Sequence, residues 1–211
     1  MAEGTDQESV DRTLFEAWRA GDTQAGTQLF ERHFDALFRF FRHKTDEGAE
    51  DLVQQTFLSV LGGPAFRAES SFRSYLFAVA RNTLYAHWKR RRKSENETDI
   101  AGACVADLDP SPSAVLAKRR EERLILEGLR RIPLELQIAL ELYYFEELSG
   151  PELASVLGVP EGTVRSRLRR AREALDRAIA KLTDDRVLLE STTTDLDSWA
   201  ERVRGLTPEL G

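Results

Sequence analysis

The sequence predicts an all-α protein: two small helical domains joined by a flexible acidic linker, the second containing a helix-turn-helix. Three observations predict this. Apolar residues recur at spacings of three, four and seven through most of the chain. Charge is segregated into blocks, with two basic stretches separated and flanked by acidic ones. From Leu148 to Arg177, two amphipathic patterns stand on either side of a Gly-Val-Pro turn.

The stretch Leu148–Arg177 carries the most information. Ser149 and Glu152 have the spacing of a capping box, with Pro151 in the first turn. Leu153, Val156 and Leu157 give a short apolar face, Gly158 supplies a left-handed stop, and Pro160 opens the next helix. There Val164, Leu168, Ala171, Leu175 and Leu182 form one stripe. At about 100° per residue, Ser166, Arg169, Arg170, Glu173 and Arg177 fall opposite it, with Arg165 and Arg167 on the flanks. A short helix, a glycine turn and a helix with an arginine-rich outer face form the layout that seats its second helix in the DNA major groove. The plainer alternative is a helical hairpin with a solvated basic face.

The net charge of −6 is unusual for a nucleic-acid binder until it is divided along the chain. Residues 1–11 carry four acids and no bases, residues 94–113 five and none, and residues 183–211 seven acids and three bases. Residues 12–93 carry 14 bases against 9 acids, and residues 114–182 carry 13 against 11. Distribution, not net charge, marks the nucleic-acid partner.

The first module, residues 9–93, reads as helical throughout. Val10, Leu14 and Trp18 space a short helix that ends at Gly21-Asp22. The run 24–43 carries Leu29, Phe30, Phe34, Leu37, Phe38 and Phe41 as core. A third helix, Glu50 to Leu61, buries Leu52, Val53, Phe57 and Val60 or Leu61, and leaves Asp51, Gln54 and Gln55 on another surface. Gly62-Gly63-Pro64 terminates it. Phe72, Leu76, Val79 and Thr83 mark the buried side of a long fourth helix capped by Ser70 or Ser71. Near its end Tyr85 and Trp88 merge into five consecutive bases, Lys89, Arg90, Arg91, Arg92 and Lys93. Bases attract phosphates, and aromatic rings offer a surface for unstacked bases at about 1–3 kcal/mol each. Complementing the helix dipole needs only one or two bases, so five predict a DNA-facing role.

Residues 94–113 are acidic, hold a glycine and two prolines, and lack helical periodicity, which predicts a flexible linker. The second domain, 114–182, begins with a helix bearing Leu124, Leu126, Leu129 and Ile132. A second helix opens at Pro133 and contributes Leu136, Leu140 and Tyr143 to the core. In the extension 183–211, Asp195 can cap a short helix carrying Leu196, Trp199, Val203 and Leu206. It could dock on the protein's own domains, bind a regulator or be incidental.

A single cysteine, Cys104, excludes an internal disulfide and a multi-cysteine metal site, and His33, His43 and His87 lack ligand spacing. No cofactor is expected. There is no nucleotide-binding glycine loop and no nucleophile–base pairing, so an enzyme is disfavoured. The acidic N-terminus has no apolar core, and no apolar run approaches the roughly 20 residues that span a bilayer. The expectation is a cytoplasmic protein.

The order FRAESSFRSYLFAVARN, WKRRRK, an acidic linker, then IPLELQIALELYYFEELSGPELASVLGVPEGTVRSRLRRARE resembles bacterial RNA polymerase sigma factors of the extracytoplasmic-function group, in the sigma-70 family. The likeness covers about residues 10–182, with both domains in order. It implies a first domain that binds the polymerase β′ clamp helices and the promoter −10 element, and a second that binds the −35 element and the β flap. By position, Asp51, Gln54 and Gln55 become polymerase contacts. FRAESS resembles the loop that captures a flipped −10 base, which implicates Phe66, Arg67, Glu69 and Ser70, with Asn82 lining the pocket; Trp88 and Lys89–Arg92 join the −10 set from the aromatic and basic run described above. Ala68 stands where the family often has glycine. Arg165, Ser166, Arg169 and Arg170 match the −35-reading positions, in agreement with the helical wheel. The linker is implied to thread the polymerase channel later used by nascent RNA. The resemblance implies promoter recognition and melting without catalysis, nucleoid association when bound to polymerase, and leaves open an anti-sigma partner. The alternative is a stand-alone helix-turn-helix regulator that dimerises on operator DNA.

Overall fold

The computed structural model describes residues 3–45, 47–64, 71–91, 99–108 and 120–183. These form α1 (Glu3–Arg19), α2 (Thr23–Arg42), α3 (Ala49–Gly62), α4 (Phe72–Arg91), α5 (Val105–Leu108), α6 (Arg120–Leu129), α7 (Leu134–Tyr144), α8 (Gly150–Leu157) and α9 (Glu161–Ala180). Extended pairing among the described residues is confined to one antiparallel bridge, Cys104 with Pro133.

In the first domain, α1 stops at Gly21, whose φ of 105° suits glycine, and Asp22 caps α2 by accepting from the Gln24 and Ala25 amides at 2.9 and 3.1 Å. The helices cross closely at Gly26, where a Cβ would stand 2.3 Å from Trp18 Nε1. Phe15 and Asp11 point inward, while Val10 is exposed and Leu14 and Trp18 are only half-buried. The expected α1 face is therefore rotated. Asp11 accepts from Arg32 Nε at 2.7 Å and lies 2.8 Å from His33 Nε2. Burial raises the Asp11 carboxyl, but His33 and Arg32 together bring it below its ordinary value. On α2, Leu29, Leu37 and Phe41 are core as expected, and Phe40 and His33 join them. Phe30, Phe34 and Phe38 are half-buried and line the flank, with successive ring centroids 5.2 and 5.6 Å apart.

On α3 the buried residues include Leu52, Val53, Phe57 and Val60, so Val60 rather than Leu61 faces the core. On α4 the buried line is Phe72, Leu76, Ala80, Leu84 and Trp88, joined by Phe77. Val79 and Thr83 sit half-buried beside it. Ser71 is the cap: its Oγ accepts from the Ser74 amide at 3.1 Å. Glu8 reaches across from α1 to accept the Phe72 amide at 2.8 and 3.0 Å, although burial raises its carboxyl.

In the second domain α6, α7 and α9 enclose Leu124, Leu129, Ile132, Leu136, Leu140, Ala171, Leu175 and Ile179. Tyr143, expected in this core, is 41% exposed, and Phe145 just past the helix end takes that place. The opposite side of α7 (Leu134, Ile138, Ala139 and Leu142) joins α8 and Val164 in a second cluster, which is continuous with the core of the first domain. Both sides of α7 are thus covered.

The linker differs from expectation. Its described part packs on the α6–α7 turn: Leu134 and Glu135 amides donate to Ala103 and Ala101 carbonyls at 2.8 and 3.1 Å, and the Ala106 amide to Arg130 O at 2.8 Å. Val105 is fully buried. One apolar anchor and satisfied backbone groups hold a segment that is acidic overall. The C-terminal extension 184–211 lies outside the described residues.

Candidate nucleic-acid interface

The α8–α9 unit is set by local chemistry. The Ser149–Glu152 capping box forms, with the Ser149 amide donating to Glu152 Oε2 at 2.9 Å. Gly158 ends α8 at φ 65°, and α9 begins after Pro160. Val164, Ala171, Leu175, Ala178 and Ile179 bury one side of α9. Arg165, Ser166, Arg169, Arg170, Glu173 and Arg177 are exposed on the rest. Arg169 Nη1 holds Glu173 Oε1 at 2.8 Å, and Ser166 Oγ donates to Thr163 O at 2.8 Å. Arg167, on the flank, turns back to Glu135 at 3.4 Å and helps seat α9 on α7. With 20 residues, α9 is about 30 Å long, enough to cross a major groove.

In the first domain, Asn82, Lys89, Arg90 and Arg91 are exposed along α4. Arg90 Nη2 donates to Gln55 Oε1 at 3.2 Å, which ties the basic end of α4 to α3. Trp88 corrects the sequence reading: it is fully buried, so it packs the core and offers no ring for a base to stack on. The i, i+4 line from Phe72 carries it inward. Tyr85 is half-buried, with the Arg81 guanidinium 4.8 Å from its ring centroid. Phe66, Arg67, Glu69, Ser70 and Arg92 lie outside the described residues. On α3, Asp51 and Gln54 are exposed and Gln55 is half-buried. Leu58, at i+7 from Asp51, is 69% exposed on that same face. Sequence reasoning missed it, although its spacing from Asp51 and Gln54 was available.

A second set of residues was also missed. Lys44, just past α2, donates from Nζ to Glu141 Oε2 on α7 and to Phe40 O at 2.7 Å. His43 Nδ1 lies 3.4 Å from the same carboxylate, and Gln137 Nε2 donates to its other oxygen at 2.8 Å. Burial pushes the Lys44 ammonium below the ordinary lysine value. Burial would raise Glu141, but Lys44 and His43 outweigh it and hold that carboxyl down at about 2. Glu146 accepts from Arg39 Nη2 and Arg73 Nη2, each at 2.9 Å. Ser71 Oγ donates to Glu152 at 2.5 Å, which adds to the hydrogen bonds that lower the Glu152 carboxyl against its burial. The partners that join the first domain to the second are 73 to 107 residues apart in sequence, beyond the reach of local pattern.

Among the described residues there is no group of His, Cys, Asp and Glu able to hold a metal, and no helix long and apolar enough to cross a membrane. Residues 29–94 match the family Sigma-70 region 2, and residues 122–175 match Sigma-70, region 4. The chain is 31% identical over 187 residues to the RNA polymerase sigma-H factor of Pseudomonas aeruginosa, covering 82% of this chain and 95% of that protein. It is 28% identical to the ECF RNA polymerase sigma-E factor of Haemophilus influenzae, covering 83% and 98%. In fold it resembles CnrH, solved with the cytosolic domain of CnrY (TM-score 0.59, 23% identity, covering 82% of this chain and 99% of that one). It also resembles RpoE of Bartonella quintana, solved with the anti-sigma factor NepR (TM-score 0.55, 22% identity, 75% and 98%). A stand-alone helix-turn-helix regulator would account for the region 4 match and leave region 2 unexplained. With both regions present in order, the chain belongs to the extracytoplasmic-function sigma factors of the sigma-70 family, which direct RNA polymerase to promoters.

Proposed function

We propose that the exposed face of α9 reads the −35 element, with Arg165, Ser166, Arg169 and Arg170 in the groove. The observation that carries this is an arginine-rich face left open on the second helix of a capped helix-turn-helix. Asn82 and the basic end of α4 (Lys89, Arg90 and Arg91) serve the −10 element, together with Phe66, Arg67, Glu69, Ser70 and Arg92. Bases pulled from the stack are captured in pockets, so melting needs no ATP and the protein needs no catalysis of its own; unpairing costs a few kcal/mol per base.

Asp51, Gln54 and Gln55, joined by Leu58, form the polymerase face, where an exposed leucine among polar groups suits a protein partner better than DNA. Domain boundaries at 9–93, 94–113, 114–182 and 183–211 fit this division of labour, with the clamp helices on the first domain and the β flap on the second. The site of action is the cytoplasm, at the nucleoid. An anti-sigma protein is a further partner, as in the NepR complex of the Bartonella protein.

The test is a mobility shift of a promoter fragment with the protein alone, with core polymerase alone, and with both. A specific shift only with both is expected. An equal shift by the protein alone would overturn the reading.

A further inference from the structure

Two side chains that the −10 reading does not use hold the residues on either side of segment 65–70. Before it, Tyr75 Oη on α4 donates to the Pro64 carbonyl at 3.0 Å. Gly63 leaves room for that hydroxyl: a Cβ there would stand 2.7 Å from Tyr75 Oη and 2.8 Å from Ser59 O. Burial raises the Tyr75 hydroxyl above its ordinary value against the pull of Arg19, so it stays protonated and donating. After the segment, Glu8 of α1 accepts the Phe72 amide through both carboxylate oxygens, at 2.8 and 3.0 Å. Phe15, on the same helix as Glu8, braces both places, with ring centroids 5.4 Å from Phe72 and 6.2 Å from Tyr75.

We infer that Glu8 and Tyr75 are positioning residues for −10 base capture: they fix where segment 65–70 leaves α3 and where it enters α4. The inference rests on the −10 reading above. Asn82 stands on the helix whose first amide Glu8 holds, about 15 Å further along at roughly 1.5 Å per residue. Glu8 therefore fixes the chain entering α4 against the residue that lines the pocket. A flipped base is read by hydrogen bonds and stacking, which fail when the groups making them are displaced by a fraction of an ångström. Attraction between Lys89–Arg91 and phosphates tolerates such displacement, because it depends little on direction. The two side chains should thus govern which base is preferred more than how tightly DNA is held.

The chemistry suits the task. The first amides of α4 have no partner within their own helix, and a carboxylate meets both that need and the positive end of the helix. Ser71 Oγ takes the Ser74 amide locally, whereas the Phe72 amide is taken by a residue 64 positions away. Arg12 lies 3.9 Å from Glu8 one turn along α1, and Asp11 and Glu152 are the acids that act on it. The N-terminal helix thereby reaches the −10 module through Glu8 and Phe15, with no contact to DNA of its own required.

The experiment uses holoenzyme assembled from the full chain and core polymerase, with a pool of single-stranded DNA randomised over a central stretch as the probe. Sequencing the retained strands gives the enrichment of the preferred base at each position, and total retention gives the overall affinity. Phe66→Ala with Arg67→Ala should flatten the preference. At the most selective position Tyr75→Phe should lower enrichment about threefold and Glu8→Ala about tenfold, for the loss of a neutral and a charged hydrogen bond. Total retention should change by about twofold at most, and co-elution with core should be kept. Glu8→Gln keeps a carbonyl acceptor and should recover most of the preference. Tyr75→Phe removes one hydroxyl from a side chain that is only half-buried, so its folding is secure. Unchanged preference in Tyr75→Phe and Glu8→Ala, beside a flattened one in the Phe66 and Arg67 variant, would overturn the positioning role. So would a preference that falls only in step with core binding. Preference untouched by the Phe66 and Arg67 substitutions would instead remove the −10 reading, and the positioning role with it.

Discussion

Lys44 Nζ donates to Glu141 Oε2 across the seam between the end of α2 and the middle of α7, with Lys44 fully buried and Glu141 2% exposed. Only folding brings these two residues together, 97 positions apart.

The first prediction concerns acid. Glu141 is held at about 2 against an ordinary 4.5. A lowered carboxyl contributes its full stabilisation above the ordinary value and loses it as pH falls towards the folded value. Folding stability should therefore fall between about pH 4.5 and 2, read as the urea midpoint across that range. Lys44 and His43 face this carboxylate from the first domain and Gln137 from its own helix. A midpoint that stays constant across that range would contradict the assignment.

Breaking the pair from one side should be costly. Glu141→Ala should destabilise by about 3–5 kcal/mol, while Glu141→Leu combined with Lys44→Met should be near neutral. Urea denaturation of both variants checks the contrast.

In the recognition helix, Arg169→Ala and Arg170→Ala should each cost about 1–3 kcal/mol of −35-dependent promoter binding. Arg169→Ala also frees Glu173, so a changed base preference at −35 should accompany the loss. Run-off transcription on a −35 substitution series measures both. Wild-type strength and preference would remove α9 from the groove.

Trp88 and its neighbours should separate cleanly. Trp88→Ala should cost about 3–5 kcal/mol of stability, because a fully buried ring leaves a cavity. Lys89→Ala and Arg90→Ala should leave folding within about 0.5 kcal/mol and lower the salt dependence of holoenzyme–promoter binding by about one unit of slope each. Asn82→Ala should reduce permanganate reactivity of −10 thymines, and a pre-melted template should recover part of the activity.

Leu58 tests the α3 face. At 69% exposure, Leu58→Asp should change the melting temperature little yet weaken core polymerase binding measurably by co-elution or fluorescence anisotropy. Undiminished binding would take Leu58 off the interface.

The legible parts of this chain were those where local chemistry decides. The α8–α9 turn was fully readable because Ser149, Glu152, Gly158 and Pro160 each act within a few residues. The stripe on α9 was readable because a solvent face remains on the other side. Periodicity misled on α1, where Asp11 turns inward to partners brought in by tertiary packing, whereas on α4 the bases beside Trp88 misled although its i, i+4 line runs inward. An aromatic beside a basic run looks the same in sequence whether it is solvent-facing or buried. Tyr143 and the linker failed for a related reason, since Phe145 and Val105 competed for core space. The seam could not be read at all, because nothing local distinguishes Glu141 or Glu146 from solvated acids.

The docked part of the linker belongs structurally to the second domain. Residues 101–106 supply the acceptors for the Leu134 and Glu135 amides and the donor for the Arg130 carbonyl, and Val105 is fully buried. A fragment cut to begin at residue 114 would strip those backbone groups of their partners, so the smallest piece that keeps the α6–α7 turn whole begins no later than Asp99.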